Sequence, residues 1–328
     1  MAEILCGKPS GPRIGAMSPS GASVVHIRDV SPRDGLQGER PVNPDRRVEL
    51  IDRLLRAGLR DIEVAAFVSP AAVPAMAGAG DVVASASELA TVVAAGPVTL
   101  WAIVPNVKGA ELATAAGVDH LTITVSASAA YSDKNVHMSI AEALAQVEAI
   151  RTGASSAVLD EVISCCFGSP FPGETITPDD VRVIVEHARA AGVDRVTLAD
   201  TTGVATPRRL ADVIEAVGTD VGLHLHDTRG TALLNAWSAI ALGVNRFDTA
   251  LGGLGGSPFA PTAGGNLATE DLVLVLDDAG LQTGIDLDAL LDIGPLLADL
   301  VGHGLPSRVA AAGGIAASAA LAEEIAPQ

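Results

Sequence analysis

Short β-branched segments alternate along most of the chain with Ala- and Leu-rich segments of helical period. The strand pattern covers residues 24–30, 61–67, 99–104, 120–126, 157–166, 195–200, 221–226 and 246–250. Between them the helical period predicts helices over 44–57, 85–94, 108–116, 140–151, 178–190, 207–217, 231–241 and 270–278. Thr177-Pro178-Asp179-Asp180 and Thr206-Pro207 each put a capping hydroxyl before a proline in the first turn. Gly58, Gly117, Gly192 and Gly243 follow helical runs, where a left-handed C-cap is expected. Such a run of βα units builds either a closed barrel or a doubly wound sheet. No G-x-G-x-x-G loop follows the first strand, and the unusual polar residues stand just past the C-terminal ends of many different strands. Catalytic groups gather there in a barrel. The expectation is an α/β fold: a (β/α)8 TIM barrel over residues 23–282, a flexible tail over 1–22, and additional C-terminal helices packed on the barrel over 283–328.

Composition sharpens this picture. A length of 328 residues is ordinary for one α/β barrel. With 48% hydrophobic but only 2% aromatic residues, the core must be built from Ala, Val, Leu and Ile, as buried parallel strands under helices require. A net charge of -18 repels nucleic acid, so an anionic ligand needs a local cluster of Lys or Arg. The 3 cysteines, Cys6, Cys165 and Cys166, give no disulfide framework and point to reduced thiols in the cytoplasm. No apolar run suits a bilayer, and residues 1–22 lack the apolar stretch of a signal peptide, so no membrane partner is expected. Ala-rich surfaces on the appended helices suit a homodimer contact.

The chemistry begins at Ser31-Pro32-Arg33-Asp34-Gly35-Leu36-Gln37, after the first strand, and Leu223-His224-Leu225-His226-Asp227-Thr228 on the seventh. Side chains two apart on a strand share a face, so His224 and His226 point together while Leu225 faces away. In a barrel, strand 7 lies near strand 1, and Asp34 can meet both histidines at the mouth. Asn266 follows the eighth strand and can approach from the adjoining side. Two imidazoles, a carboxylate and an amide oxygen form a mixed N/O site suited to Mg²⁺ or Mn²⁺. The competing reading is a packed histidine pair and a structural Arg–Asp ion pair.

Arg33-Asp34-Gly35-Leu36-Gln37 resembles the R-D-G-x-Q element of metal-dependent lyase and Claisen-synthase barrels. Phe67-Val68-Ser69-Pro70, Pro105-Asn106-Val107-Lys108-Gly109, Asp133-Lys134-Asn135, Asp200-Thr201-Thr202-Gly203, the His224–Thr228 run and Gly265-Asn266-Leu267-Ala268-Thr269-Glu270-Asp271 follow in the order of the 3-hydroxy-3-methylglutaryl-CoA lyase family. The resemblance implies retro-Claisen cleavage of an acyl-CoA substrate to acetyl-CoA and acetoacetate. It implies Asp34, His224, His226 and Asn266 as ligands of a divalent cation, and Arg33 as the group that polarises the thioester carbonyl. It further implies Glu63 and Asp200 as supports of the metal ligands, and Gln37, Arg40, Lys134 and Asn135 as contacts to substrate or CoA. Glu63 paired simply with Arg33, and Asp200 as a loop cap, are the plainer alternatives.

One position departs from the family. Its loop after strand 8 reads G-x-G-G-C-P, with a catalytic Cys, whereas this chain has Gly253-Leu254-Gly255-Gly256-Ser257-Pro258. A hydroxyl is a far weaker acid than a thiol and needs an adjacent base. Ser257 therefore relays a proton from a neighbour such as His224, or the substrate is another 3-hydroxyacyl-CoA such as a citramalyl or longer-chain analogue, or catalysis has been lost. A change engineered to trap a ligand is a fourth reading. Arg229 stands where the animal enzymes are expected to have Tyr. The rival functions are a Claisen-type synthase, which would release free thiol from acetyl-CoA and a 2-oxoacid, and a catalytically silent acyl-CoA-binding homologue.

Overall fold

The computed structural model describes residues 24–93, 96–256 and 264–315. The expected tail over 1–22 lies outside these residues. Eight strands, β1 (His26–Asp29), β2 (Asp61–Ala66), β3 (Thr99–Ile103), β4 (His120–Ser126), β5 (Val158–Ser164), β6 (Arg195–Asp200), β7 (Gly222–Leu225) and β8 (Arg246–Thr249), pair in chain order. All pairs are parallel, and β8 returns to β1 with Asp29 opposite Thr249, closing the barrel. The chain is therefore a (β/α)8 TIM barrel, as the element order implies.

The outer layer holds α1 (Pro44–Arg56), α2 (Ala79–Val93), α3 (Val107–Ala115), α4 (Ala129–Val136), α5 (Ile140–Gly153), α6 (Pro178–Ala190), α7 (Pro207–Val217), α8 (Ala232–Leu242) and α9 (Thr269–Asp278). Two more, α10 (Leu287–Val301) and α11 (Arg308–Ala312), follow the barrel. The capping signals act as read: the Thr177 and Thr206 hydroxyls accept the N–H groups of Asp180 and Arg209. The four glycines expected at helix ends all take positive φ. Helix α2 starts six residues ahead of the expected 85, because Val82 and Val83 already bury against the core in a stretch that Gly78 and Gly80 make loop-like in sequence. Helix α4 was not foreseen. It buries only Tyr131 and Ser132 and so carries no apolar stripe; the Ser128 hydroxyl, accepting the Tyr131 N–H at 3.0 Å, starts it.

Strand alternation divides the barrel into two environments. Leu121, Ile123, Leu159, Ile163, Leu223 and Leu225 join the apolar core under the helices. Many inner positions are polar: Arg28, Glu63, Thr122, Asp160, Thr197 and Asp248 are all buried. A barrel interior is ordinarily filled by branched apolar side chains. This one also buries ion pairs, with Arg28 reaching Asp160 and Asp248 at 2.8 Å each beside the Trp101 ring.

Glu161 breaks the division, since it sits on β5 between Asp160 and Val162 and faces the apolar side. It is fully buried, and neither carboxylate oxygen has a hydrogen-bond partner among the described residues. Burial, with Asp160 adding to it, pushes its carboxyl from an ordinary 4.5 up to about 8. The folded chain thus holds a proton that the unfolded chain releases. Stability from this group is full below about pH 4.5 and falls as pH rises towards 8. Glu161→Met, close in length and apolar, is expected to raise Tm at pH 8 by several degrees, at roughly 1–2 °C per kcal/mol for a chain of this size. At pH 5 the gain should nearly vanish. Thermal melts at the two pH values check this, and an equal gain at both would contradict it.

Candidate metal centre and active site

The strand ends place the chemistry. After β1 the chain makes one π-helical turn, Ser31–Gly35, closed by the Gly35 N–H on the Val30 carbonyl at 3.1 Å. Buried Asp29 anchors it by accepting from the Ser31 N–H at 2.9 Å, the Leu251 N–H at 3.2 Å and the Thr269 hydroxyl at 2.6 Å. One carboxylate thereby ties the β1 loop to the β8 loop. The segment carrying Asn266 is stitched to the end of β7: Asp227 N–H donates to the Gly265 carbonyl and Leu267 N–H to that of Leu225, both at 2.8 Å.

These supports bring together four residues singled out in the sequence. One ligand atom each from Asp34, His224 and His226 lies within 4.8 Å of the others. Asn266 adjoins them, its Nδ2 donating to Asp34 Oδ2 at 2.8 Å and to the Leu254 carbonyl at 2.9 Å. Its Oδ1 is buried with no hydrogen-bond partner among the described residues. The two histidine Nε2 atoms stand 3.3 Å apart. The opposite ring nitrogens are occupied: His226 Nδ1 meets the Gly264 carbonyl at 2.9 Å and His224 Nδ1 meets Asp248 at 3.2 Å. Each Nε2 is thereby turned inward to the same point. Converging imidazole nitrogens, a carboxylate and an orphaned amide oxygen form a donor set that fits a hard divalent cation.

Charge states suit that role. Burial and the nearby His224 push His226 down to about 4, leaving a neutral ring. Burial works to raise Asp34, but Arg33, His224 and the Asn266 amide outweigh it, so its carboxyl lies below the ordinary range. Arg33 donates to Asp34 at 2.6 Å and grips Glu63 through Nε and Nη2. Glu63 is fully buried. Glu63 thus makes the plainer contact weighed for it, an ion pair with Arg33, which fixes the guanidinium at the wall of the mouth cavity.

That cavity has a volume of about 390 Å³ and is lined by Arg33, Asp34, Gln37, Asn135, His224 and His226, together with Tyr131, Thr124, Ser164 and Thr201. Gln37 and Asn135 thus reach the site. Other expected residues are engaged elsewhere. Arg40 donates to the Leu300 and Asp299 carbonyls at 2.9 and 2.5 Å, holding the end of α10. Lys134 is exposed, with its Nζ 5.5 Å from the Phe171 ring centre. Asp200 accepts the N–H groups of Val204 and Ala205 and so caps its own loop; burial pushes it up to about 6. Arg229 binds the Thr202 and Gly203 carbonyls. Ser257 lies outside the described residues. The Cys165 thiol, pushed up by burial to about 12, is no acid near neutral pH.

Asp29, Arg28 and Asp248 escaped the sequence reading. Arg246-Phe247-Asp248 does alternate polar and apolar residues, as His224-Leu225-His226 does, and that inward polar position was the available signal.

A barrel mouth that joins this donor set to a pinned guanidinium has the charge layout to stabilise negative charge on oxygen. The family model described as HMGL-like matches residues 24–297, and the chain belongs to that family. It is a carbon–carbon lyase. It is 42% identical over 301 residues to an (R)-citramalyl-CoA lyase of Chloroflexus aurantiacus, covering 88% of this chain and 95% of the relative. It is 38% identical over 296 residues to the mitochondrial hydroxymethylglutaryl-CoA lyase of Homo sapiens, covering 88% and 89%. An HMG-CoA lyase from Acinetobacter baumannii, solved with coenzyme A and 3-methylmalate, superposes with a TM-score of 0.82 at 37% identity, covering 89% of this chain and 96% of that one.

Gly255 sits where the loop passes closest to the donor set. Its φ is +106°, and a Cβ there would lie 2.3 Å from Asn266 Nδ2 and 3.0 Å from Asp34 Oδ2. Gly255→Ala is expected to weaken Mn²⁺ binding at least ~10-fold, as loss of ligand geometry commonly does. Gly80→Ala, with nothing within 4 Å, should leave it unchanged. Titration calorimetry with Mn²⁺ distinguishes the two; equal affinity in both would contradict the role given to Gly255.

Proposed function

We propose that the chain performs divalent-metal-dependent retro-Claisen cleavage of a 3-hydroxy-3-methylglutaryl-CoA-like thioester to acetyl-CoA and acetoacetate. The observation that carries the reading is the convergence of Asp34, His224, His226 and Asn266 beside Arg33 at one barrel mouth. Mg²⁺ or Mn²⁺ held there by these four residues would supply positive charge to the substrate's hydroxyl and carboxylate oxygens. As the tertiary hydroxyl loses its proton, the C2–C3 bond breaks and its electron pair moves onto the thioester as an enolate. Arg33, fixed by Glu63 and Asp34, stabilises the charge gathering on the thioester oxygen. Asn135 and Gln37 line the same cavity and can hold the acyl end. Protonation of the enolate carbon gives acetyl-CoA. Ser257 stands where the family has its loop Cys, and as a weak acid it would pass on a proton rather than supply one.

Citramalyl-CoA, one methylene shorter, is the second reading, favoured by the 42% identity to the Chloroflexus aurantiacus enzyme. Either substrate places the protein in a compartment holding acyl-CoA esters. Two buried free cysteines suit a reducing cytoplasm, and no helix among the described residues is long and apolar enough to cross a membrane.

Purified protein incubated with each thioester and Mg²⁺ or Mn²⁺, with products separated by chromatography, decides between them. Acetoacetate with acetyl-CoA supports the first reading, and pyruvate with acetyl-CoA the second. Arg33→Gln should lower kcat about 100-fold or more. No acetyl-CoA from either thioester, with Ser257→Cys also inactive, would overturn both.

A further inference from the structure

Asp248 is the residue shared by two cavities. It lines the mouth cavity from below and forms the roof of a second, about 250 Å³, at the N-terminal end of the barrel, where Arg28, Asp61, Asp160 and Arg195 also lie. Three donors converge on its carboxylate. Arg28 donates through Nε at 2.8 Å and Nη2 at 2.9 Å, and His224 Nδ1 stands at 3.2 Å. Arg28 is itself fixed from two further sides, by Asp160 at 2.8 Å and by the face of Trp101 at 4.9 Å. Asp248, Arg28, His224, Asp160 and Trp101 are all buried.

We propose that Asp248, held by Arg28, is a positioning residue that aims His224 Nε2 at the cation, so that a charge pair buried inside the barrel sets metal affinity at its mouth. The reasoning is geometric. A ligating imidazole needs its second nitrogen tied, or the ring rotates and the other tautomer competes. Asp248 Oδ2 is the atom that ties it here. A carboxylate free to turn would tie it poorly, and the parallel pair of guanidinium bonds from Arg28 prevents turning. Residues at the N-terminal end of a barrel ordinarily serve stability; Arg28 reaches the chemistry through one carboxylate. The inference rests on the metal reading above but not on the choice of substrate.

The test is Mn²⁺ binding, followed by the loss of the free-ion electron paramagnetic resonance signal, together with the visible spectrum of the Co²⁺ form. Asp248→Asn keeps the shape but lets an amide nitrogen face the ring. It should weaken Mn²⁺ about 10- to 100-fold and alter the Co²⁺ bands. Arg28→Lys keeps the charge but loses the paired geometry, and should weaken Mn²⁺ several-fold. Far-UV circular dichroism identifies folded variants; if Asp248→Asn does not fold, Arg28→Lys and Asp248→Glu carry the same titration. A folded variant with wild-type affinity and unchanged Co²⁺ bands overturns the proposal. Wild-type protein that binds no Mn²⁺ overturns it together with the metal reading. Tight Mn²⁺ binding that Asp248→Asn weakens, without cleavage of either thioester, upholds it and sinks only the substrate assignment.

Discussion

The fold depends on compensating charge buried inside the barrel. Arg28, Asp160 and Asp248 are withdrawn from water in a place where other barrels keep hydrocarbon. Desolvating such groups is costly, and each is tolerable only while its partners remain. Removing one partner from a buried pair typically costs about 3–5 kcal/mol. The Asp248 carboxyl records the balance: burial works to raise it, yet Arg28 and His224 hold it well below the ordinary carboxylate range. Charges inside the barrel are a weak source of stability, but they fix direction. An apolar layer would fill the same space without specifying where a histidine ring points.

The same logic orders the mouth. Arg33 is a cation set between two acids, Glu63 and Asp34, and its geometry is given by them rather than by packing. Asp29 performs the corresponding service for backbone, gathering N–H and hydroxyl donors from the loops after β1 and β8. Glu270 adds a further tie, accepting the Gly252 N–H at 3.0 Å from its place at the start of α9. Burial pushes that carboxyl up to about 7. The glycine-rich loop is thus held by acids on both sides while it passes against Asn266 and Asp34, an approach that a side chain at Gly255 would block.

The barrel was legible because alternation and helix caps are local signals. Each strand shows its period within a few residues, and Thr177 or Thr206 announces a helix without help from elsewhere. His224 and His226 were legible for the same reason, their spacing alone placing them on one face. Asp248 was not, although its strand alternates in the same way. Its partners, Arg28 and His224, come from β1 and β7, and only closure of β8 onto β1 puts the three side chains at one height. Arg40 is the complementary case. Its motif position suggested a ligand contact, but α10 supplies two carbonyls that claim the guanidinium. Helix α4 lay beyond local pattern because it buries too little to leave an apolar stripe.

This difference in origin separates the two parts of the site. The proposed metal donors Asp34, His224, His226 and Asn266 are tied to sheet register: β7 and the residue after it supply the two histidines, the π-helical turn after β1 supplies Asp34, and a backbone bridge joins Asn266 to His226. Displacing one displaces its neighbours. The proposed proton-handling residue, Ser257, follows in sequence the glycine-rich stretch after β8, where Leu251 and Gly252 are held by Asp29 and Glu270. A thiol-to-hydroxyl difference there changes acidity without asking anything of the strand ends. On the proposed reading, therefore, the donor geometry at the strand ends and the acidity of the loop residue are set by separate parts of the chain.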